Sequence, residues 1–140
     1  MRLKLFLLGL LVFTTCEEAP TSGSEEIELT FYTIDMGQNS GRTADNYAIR
    51  SEWEFQNLFG QSSDGFDFQD EMMIAVYKGE VGTTGNSYRI SSVTDRGSDI
   101  RVTVVFEGCN VCNTATSTPY HIIGLDRSNK QVNFREMEIN

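Results

Sequence analysis

The residue pattern from Tyr88 to Phe106 constrains the fold more than any other stretch. Ile100, Val102, Val104 and Phe106 alternate with Arg101, Thr103 and Val105, the two-residue period of a strand with one buried face. A strand over residues 88–93 precedes it, and Asp95-Arg96-Gly97-Ser98-Asp99 supplies the turn. An antiparallel hairpin is therefore expected, and it needs a second layer to cover its apolar face. Met72-Met73-Ile74-Ala75-Val76-Tyr77 is a continuous apolar run bounded by turn residues, as in a strand buried on both faces.

The remaining chain adds strands to this nucleus. Ile27, Leu29 and Phe31 alternate with Glu28, Thr30 and Tyr32, and Gly37-Gln38-Asn39-Ser40-Gly41 ends that pattern. Residues 47–50 suit a short strand. Residues 120–125 and 132–137 suggest a second hairpin around residues 126–130. One helix is expected. Ser51 and Glu54 have capping-box spacing, Phe55, Leu58 and Phe59 form an apolar stripe, and Gly60 stops it. Trp53, the sole tryptophan, is expected to anchor packing. The expected fold is mainly β: an antiparallel β-sandwich or partly open barrel of six to seven strands with one short α-helix.

Residues 5–13 are apolar except for Gly9 and follow Arg2 and Lys4. The run is too short to span a bilayer, which takes roughly 20 residues, and has the layout of an export signal. Phe13-Thr14-Thr15-Cys16 resembles a bacterial lipobox, which implies that Cys16 is lipidated and becomes the new N-terminus. Residues 1–15 are thus expected to be a lipoprotein signal peptide, residues 16–26 an acidic flexible tether, and residues 27–140 one β-rich domain. The expected location is the cell envelope, lipid-anchored at the bacterial outer membrane. The net charge of −9 opposes binding to nucleic-acid phosphates, and no nucleic-acid partner is expected.

Cys109-Asn110-Val111-Cys112 admits three readings. Export favours a disulfide, which would rigidify the loop after the strand ending at Phe106. A redox dithiol usually sits at a helix N-terminus, and the Thr- and Ser-rich residues 113–119 do not suggest one. A zinc site wants four ligands, and one cysteine pair with His121, the only histidine, is incomplete. No metal and no cofactor are expected, and His121 is expected to be a hydrogen-bonded packing residue. The glycine-rich stretch 79–88 is the candidate working loop. Its glycines let backbone approach a partner, Thr84 and Asn86 offer hydrogen bonds, and Tyr88 offers a rigid face.

Asp67-Phe68, the strand 72–77, Gly79, Thr84-Gly85, Tyr88-Arg89-Ile90 and Thr118-Pro119-Tyr120-His121-Ile122-Ile123 stand in an order that resembles the protease complex subunit PrcB C-terminal domain. The resemblance covers about residues 51–134. The chain departs from the pattern where Asn86-Ser87 replaces a single glycine, and where Gly108-Cys109-Asn110-Val111-Cys112 replaces a proline- and glycine-rich segment. The resemblance implies a non-catalytic envelope lipoprotein that associates with another envelope protein, such as an exported protease, and stabilises it. Thr84, Gly85, Asn86 and Tyr88 would then lie on its contact surface. The loop 83–88 is also similar to the Thr-Thr-Gly-Tyr loop of chagasin-type peptidase inhibitors, which implies an inhibitor as the alternative. A thiol–disulfide protein using Cys109 and Cys112 is a further alternative.

Overall fold

The computed structural model describes residues 25–109 and 113–139. Cys16, Cys112, the signal segment and most of the tether lie outside them. The described chain is a β-sandwich of eight strands and one helix: β1 (Ile27–Glu28), β2 (Phe31–Gly37), β3 (Asp45–Ile49), α1 (Glu52–Phe59), β4 (Glu71–Tyr77), β5 (Ser87–Asp95), β6 (Asp99–Glu107), β7 (Tyr120–Asp126) and β8 (Gln131–Ile139). The first sheet has the order β1-β5-β6-β8 and the second β2-β7-β4-β3. Neither closes into a barrel.

The inter-sheet core is the one the alternation implies. Ile100, Val102 and Val104 of β6 meet Met72, Ile74 and Val76 of β4 and Ile123 and Leu125 of β7. The other face of β4, with Met73, Ala75 and Tyr77, packs beneath Phe55 of α1 and Phe68. All six residues of the apolar run are therefore buried, half toward each layer. The helix starts at Ser51, whose side chain accepts from the Glu54 N–H at 3.2 Å. Glu54 completes the cap one residue further out than the usual box, accepting from the Arg50 N–H at 2.6 Å. Gly60 closes it in the left-handed region at φ 70°, donating its N–H to Gln56 O.

Four expectations need correction. There are eight strands rather than six or seven. β7 and β8 are not a hairpin: they belong to different sheets, and β8 pairs parallel with β6. That register sets Val132 beside Ile100 and Phe134 beside Val102, so β8 extends the apolar inner face of the first sheet. The strand expected over 27–32 is two strands in two sheets. Leu29 and Phe31 both pack on the inter-sheet core, so the inward alternation persists while the chain changes layers. Trp53 is 73% exposed and anchors nothing. It stands roughly 200° around the helix from Phe55, off the apolar stripe.

Candidate functional site

Two regions gather polar side chains. The first is the end of the sandwich where the glycine-rich loop meets the cysteine loop. Val81 and Ser117 exchange backbone hydrogen bonds at 2.8 and 2.9 Å, and the Thr84 N–H donates to Asn113 O at 3.1 Å. Asn86 is the hub. Its amide nitrogen donates to Thr83 O and Thr83 Oγ1, both at 2.9 Å, and its Oδ1 accepts the Cys109 N–H at 3.1 Å. Gln38 donates to its carbonyl at 2.7 Å. Gly85 holds φ 88°, and a Cβ there would lie 3.4 Å from Cys109 Sγ. Cys109 is disulfide-bonded. The other two cysteines of the sequence, Cys16 and Cys112, are beyond the described residues.

Two of the four residues expected on the contact surface are buried in this geometry. Asn86 is only 4% exposed and Tyr88 only 3%. The Tyr88 hydroxyl donates to Glu136 Oε2 at 3.3 Å, its ring packs edge-on against Phe106, and the Lys78 ammonium, paired with Glu136, lies over Phe106. Burial, then the Glu136 carboxylate, push the Tyr88 pKa up. Of the four loop residues, Thr84 is half-buried and Gly85 exposed. Sequence reasoning saw glycine, threonine and asparagine as an adaptable loop. It could not see that Asn113 and Ser117 supply partners to its backbone.

His121 lies between the sheets. The Ile90 N–H donates to its Nδ1 at 2.9 Å, so Nδ1 is unprotonated and Nε2 carries the hydrogen that reaches Thr33 Oγ1 at 2.9 Å. A β-bulge in β5 between Ile90 and Ser92 accompanies this bond. Burial, then the nearby Arg89 charge, hold its pKa below the usual histidine value. Both ring nitrogens therefore hold the fold together. Among the described residues, no group of three or more His, Cys, Asp or Glu side chains could hold a metal.

The second region is a cleft of about 510 Å³ on the outer face of the second sheet, which sequence reasoning missed. Met73, Tyr77, Tyr120 and Ile122 form its floor, and Phe55 and Phe59 of α1 form one wall. Tyr77 and Tyr120 stack with centroids 5.9 Å apart. Burial pushes the Tyr77 pKa up to about 12, with the Arg42 charge opposing. Gly37 faces Tyr120 across the β2–β7 pair, and the ring lies where a Cβ would sit, 2.9 Å from its Cε1. The Tyr120 hydroxyl donates to Asp35 Oδ2 at 2.9 Å. Gly124 and Tyr32 repeat the arrangement, with the Tyr32 hydroxyl on Glu71 Oε1 at 2.9 Å.

Arg42 enters this cleft from the turn made by Gly41 at φ 67°. Its guanidinium lies 4.4 Å from the Phe59 centroid and 5.4 Å from that of Tyr77. One nitrogen, Nη2, donates to Leu58 O at 3.0 Å. The opposite rim is residues 61–64, tied to α1 because Glu52 accepts from the Ser63 N–H at 3.1 Å and from its hydroxyl. The lining comes from four separated segments of chain, so no local spacing announces it.

No family model, no curated protein and no solved structure matches this chain.

Proposed function

We propose that the protein is a non-catalytic, lipid-anchored interaction domain of the cell envelope that serves as an accessory or stabilising partner of another envelope protein. The lipobox-like Cys16 and the PrcB-like order of motifs motivate the location and the role. The observation that carries the reading is apolar exposure on one edge and one helix. β2 is an edge strand of the second sheet, paired among the described residues with β7 alone, and it presents Tyr32, Ile34 and Met36 to solvent. Its sequence, FYTIDMG, contains no lysine, arginine or proline of the sort that usually guards an edge. Trp53 adds a large aromatic surface on α1. Exposed groups of this kind mark protein contacts when they gather on one side of a domain.

This moves the expected contact away from Asn86 and Tyr88. A photo-crosslinking residue at position 53 or 36, introduced in the native host, is expected to trap one recurrent envelope protein. The same residue at exposed position 129, on the connector before β8, serves as the control. Equal trapping at all three positions, or none, refutes the assignment. Cys16→Ser is expected to move the protein from the membrane to the soluble fraction, and continued membrane retention removes the anchor.

A further inference from the structure

The cleft beside Arg42 carries an inference that does not depend on the anchor or on a protein partner. We propose that it is a binding site for an organic carboxylate with an apolar body, in which Arg42 receives the carboxylate and the floor of Met73, Ile122 and Tyr120 receives the body.

The argument starts from the arginine. The chain is acidic, with 20 Asp+Glu against 11 Lys+Arg. Of the nine arginines and lysines among the described residues, Arg96, Arg101, Lys78 and Lys130 have a carboxylate within ion-pair distance. Arg42 has none within ion-pair distance among the described residues. It is instead half-buried and laid over two aromatic rings, and only Nη2 has a protein acceptor. The two rings and the bond to Leu58 O hold the guanidinium in place before any ligand arrives. A planar fork held in this way suits the two oxygens of a carboxylate.

The surroundings select the rest of the ligand. A volume of about 510 Å³ suits a compact organic molecule. The floor is aromatic and aliphatic, so a purely hydrophilic anion would leave it uncovered. Asp35, the nearest acid on β2, is already satisfied: Oδ1 accepts the Met36 N–H at 2.8 Å and Oδ2 accepts Tyr120. Asp64, at φ 55° on the opposite rim, remains as an acceptor for an N–H on the ligand. An N-acylated apolar amino acid carries all three features. So does the C-terminal residue of a polypeptide, and the chemistry is common to both.

The test uses the full chain with four probes: N-acetyl-phenylalanine, its amide, and a heptapeptide ending in phenylalanine with a free or an amidated C-terminus. Binding is read by titration calorimetry and by the methyl resonance of Met73. The free acid is expected to bind about tenfold or more tightly than its amide, the ratio for one charge-assisted pair. Arg42→Gln is expected to abolish that ratio. The acid-to-amide comparison on the unaltered chain stands even if the variant loosens α1. Binding of the free-acid heptapeptide as well would identify a polypeptide terminus as a fitting source, and binding of the small acid alone would identify a free metabolite-sized acid. Equal affinity for acid and amide, or an unmoved Met73 methyl with every probe at about 10 mM, overturns the proposal.

Discussion

Replacing His121 with leucine isolates the bond that joins the two layers. The ring accepts the Ile90 N–H of the first sheet and reaches Thr33 of the second, and it is 4% exposed. Leucine fills a similar volume but leaves the Ile90 N–H buried without an acceptor. That orphan donor costs about 1–3 kcal/mol. Thr33 is exposed and recovers its bond from water, so it adds little. The loss at pH 8 is therefore expected to be about 1–3 kcal/mol, read from urea midpoints at constant slope.

The pH dependence gives a second, independent reading. The folded pKa lies below the unfolded value of 6.5, so between the two the unfolded chain binds more protons. Stability is then fully present above about pH 6.5 and is lost as pH falls toward the folded pKa, by at most about 1.4 kcal/mol per pH unit. The chain has a single histidine, so this side chain accounts for the slope between roughly pH 5.5 and 7. Carboxylates held low by hydrogen bonds, such as Asp95 beside Lys130 and Asp99 beside Asn133, lose their contribution only at lower pH. The leucine variant should be flat across that window, so its deficit should shrink as pH falls. A variant that keeps the parent's slope, or that costs under about 0.5 kcal/mol at pH 8, would show that the ring is not the inter-sheet acceptor.

Asn86→Ala should cost about 1–3 kcal/mol by leaving the Cys109 N–H without its acceptor, and hydrogen exchange should speed at Cys109 and Thr84 together. Gly79→Ala should be poorly tolerated. Its φ of 78° alone costs a side chain about 1–2 kcal/mol, and the new Cβ would sit 2.8 Å from the Ala44 backbone nitrogen, which thermal melting would register. Trp53→Ala should change the urea midpoint by less than about 0.5 kcal/mol, because so little of the ring is covered. A larger loss would place Trp53 in the fold rather than at a contact.

What could be read from the sequence was local. The β5–β6 hairpin was legible because one short turn joins its strands and both alternate. β4 was legible because six apolar residues in a row leave no polar face. The parallel β6–β8 pair was not, since nothing near either strand specifies a partner 32 positions away (Asp99 with Gln131). The chain's change of layer at Leu29 was hidden because its inward residues keep their period through it. The position of Trp53 could have been read, as its angle on the helix already excludes it from the stripe. Asn86 and Tyr88 look like ligand-facing groups by type. Their burial depends on Cys109 and Glu136, which lie far along the chain. The cleft had no sequence signal because Arg42, Phe59, Tyr77 and Tyr120 meet only after the second sheet and the helix have assembled.

The crossing from β7 to β8 sets a length requirement that a hairpin turn would not. Packed sheets stand about 10 Å apart. The five peptide steps from Asp126 to Gln131 can reach about 17 Å at full extension. Arg50 clasps this connector through Ser128 O at 2.7 Å and Lys130 O at 2.8 Å, taking up what slack there is. Removing two of its residues would leave about 10 Å of fully taut chain and no freedom to meet the register of β6. Arg127 and Lys130 add side-chain bonds to Phe68 O and Asp95, and a deletion there would unseat β8 and open the side of the core formed by Val132 and Phe134 to water.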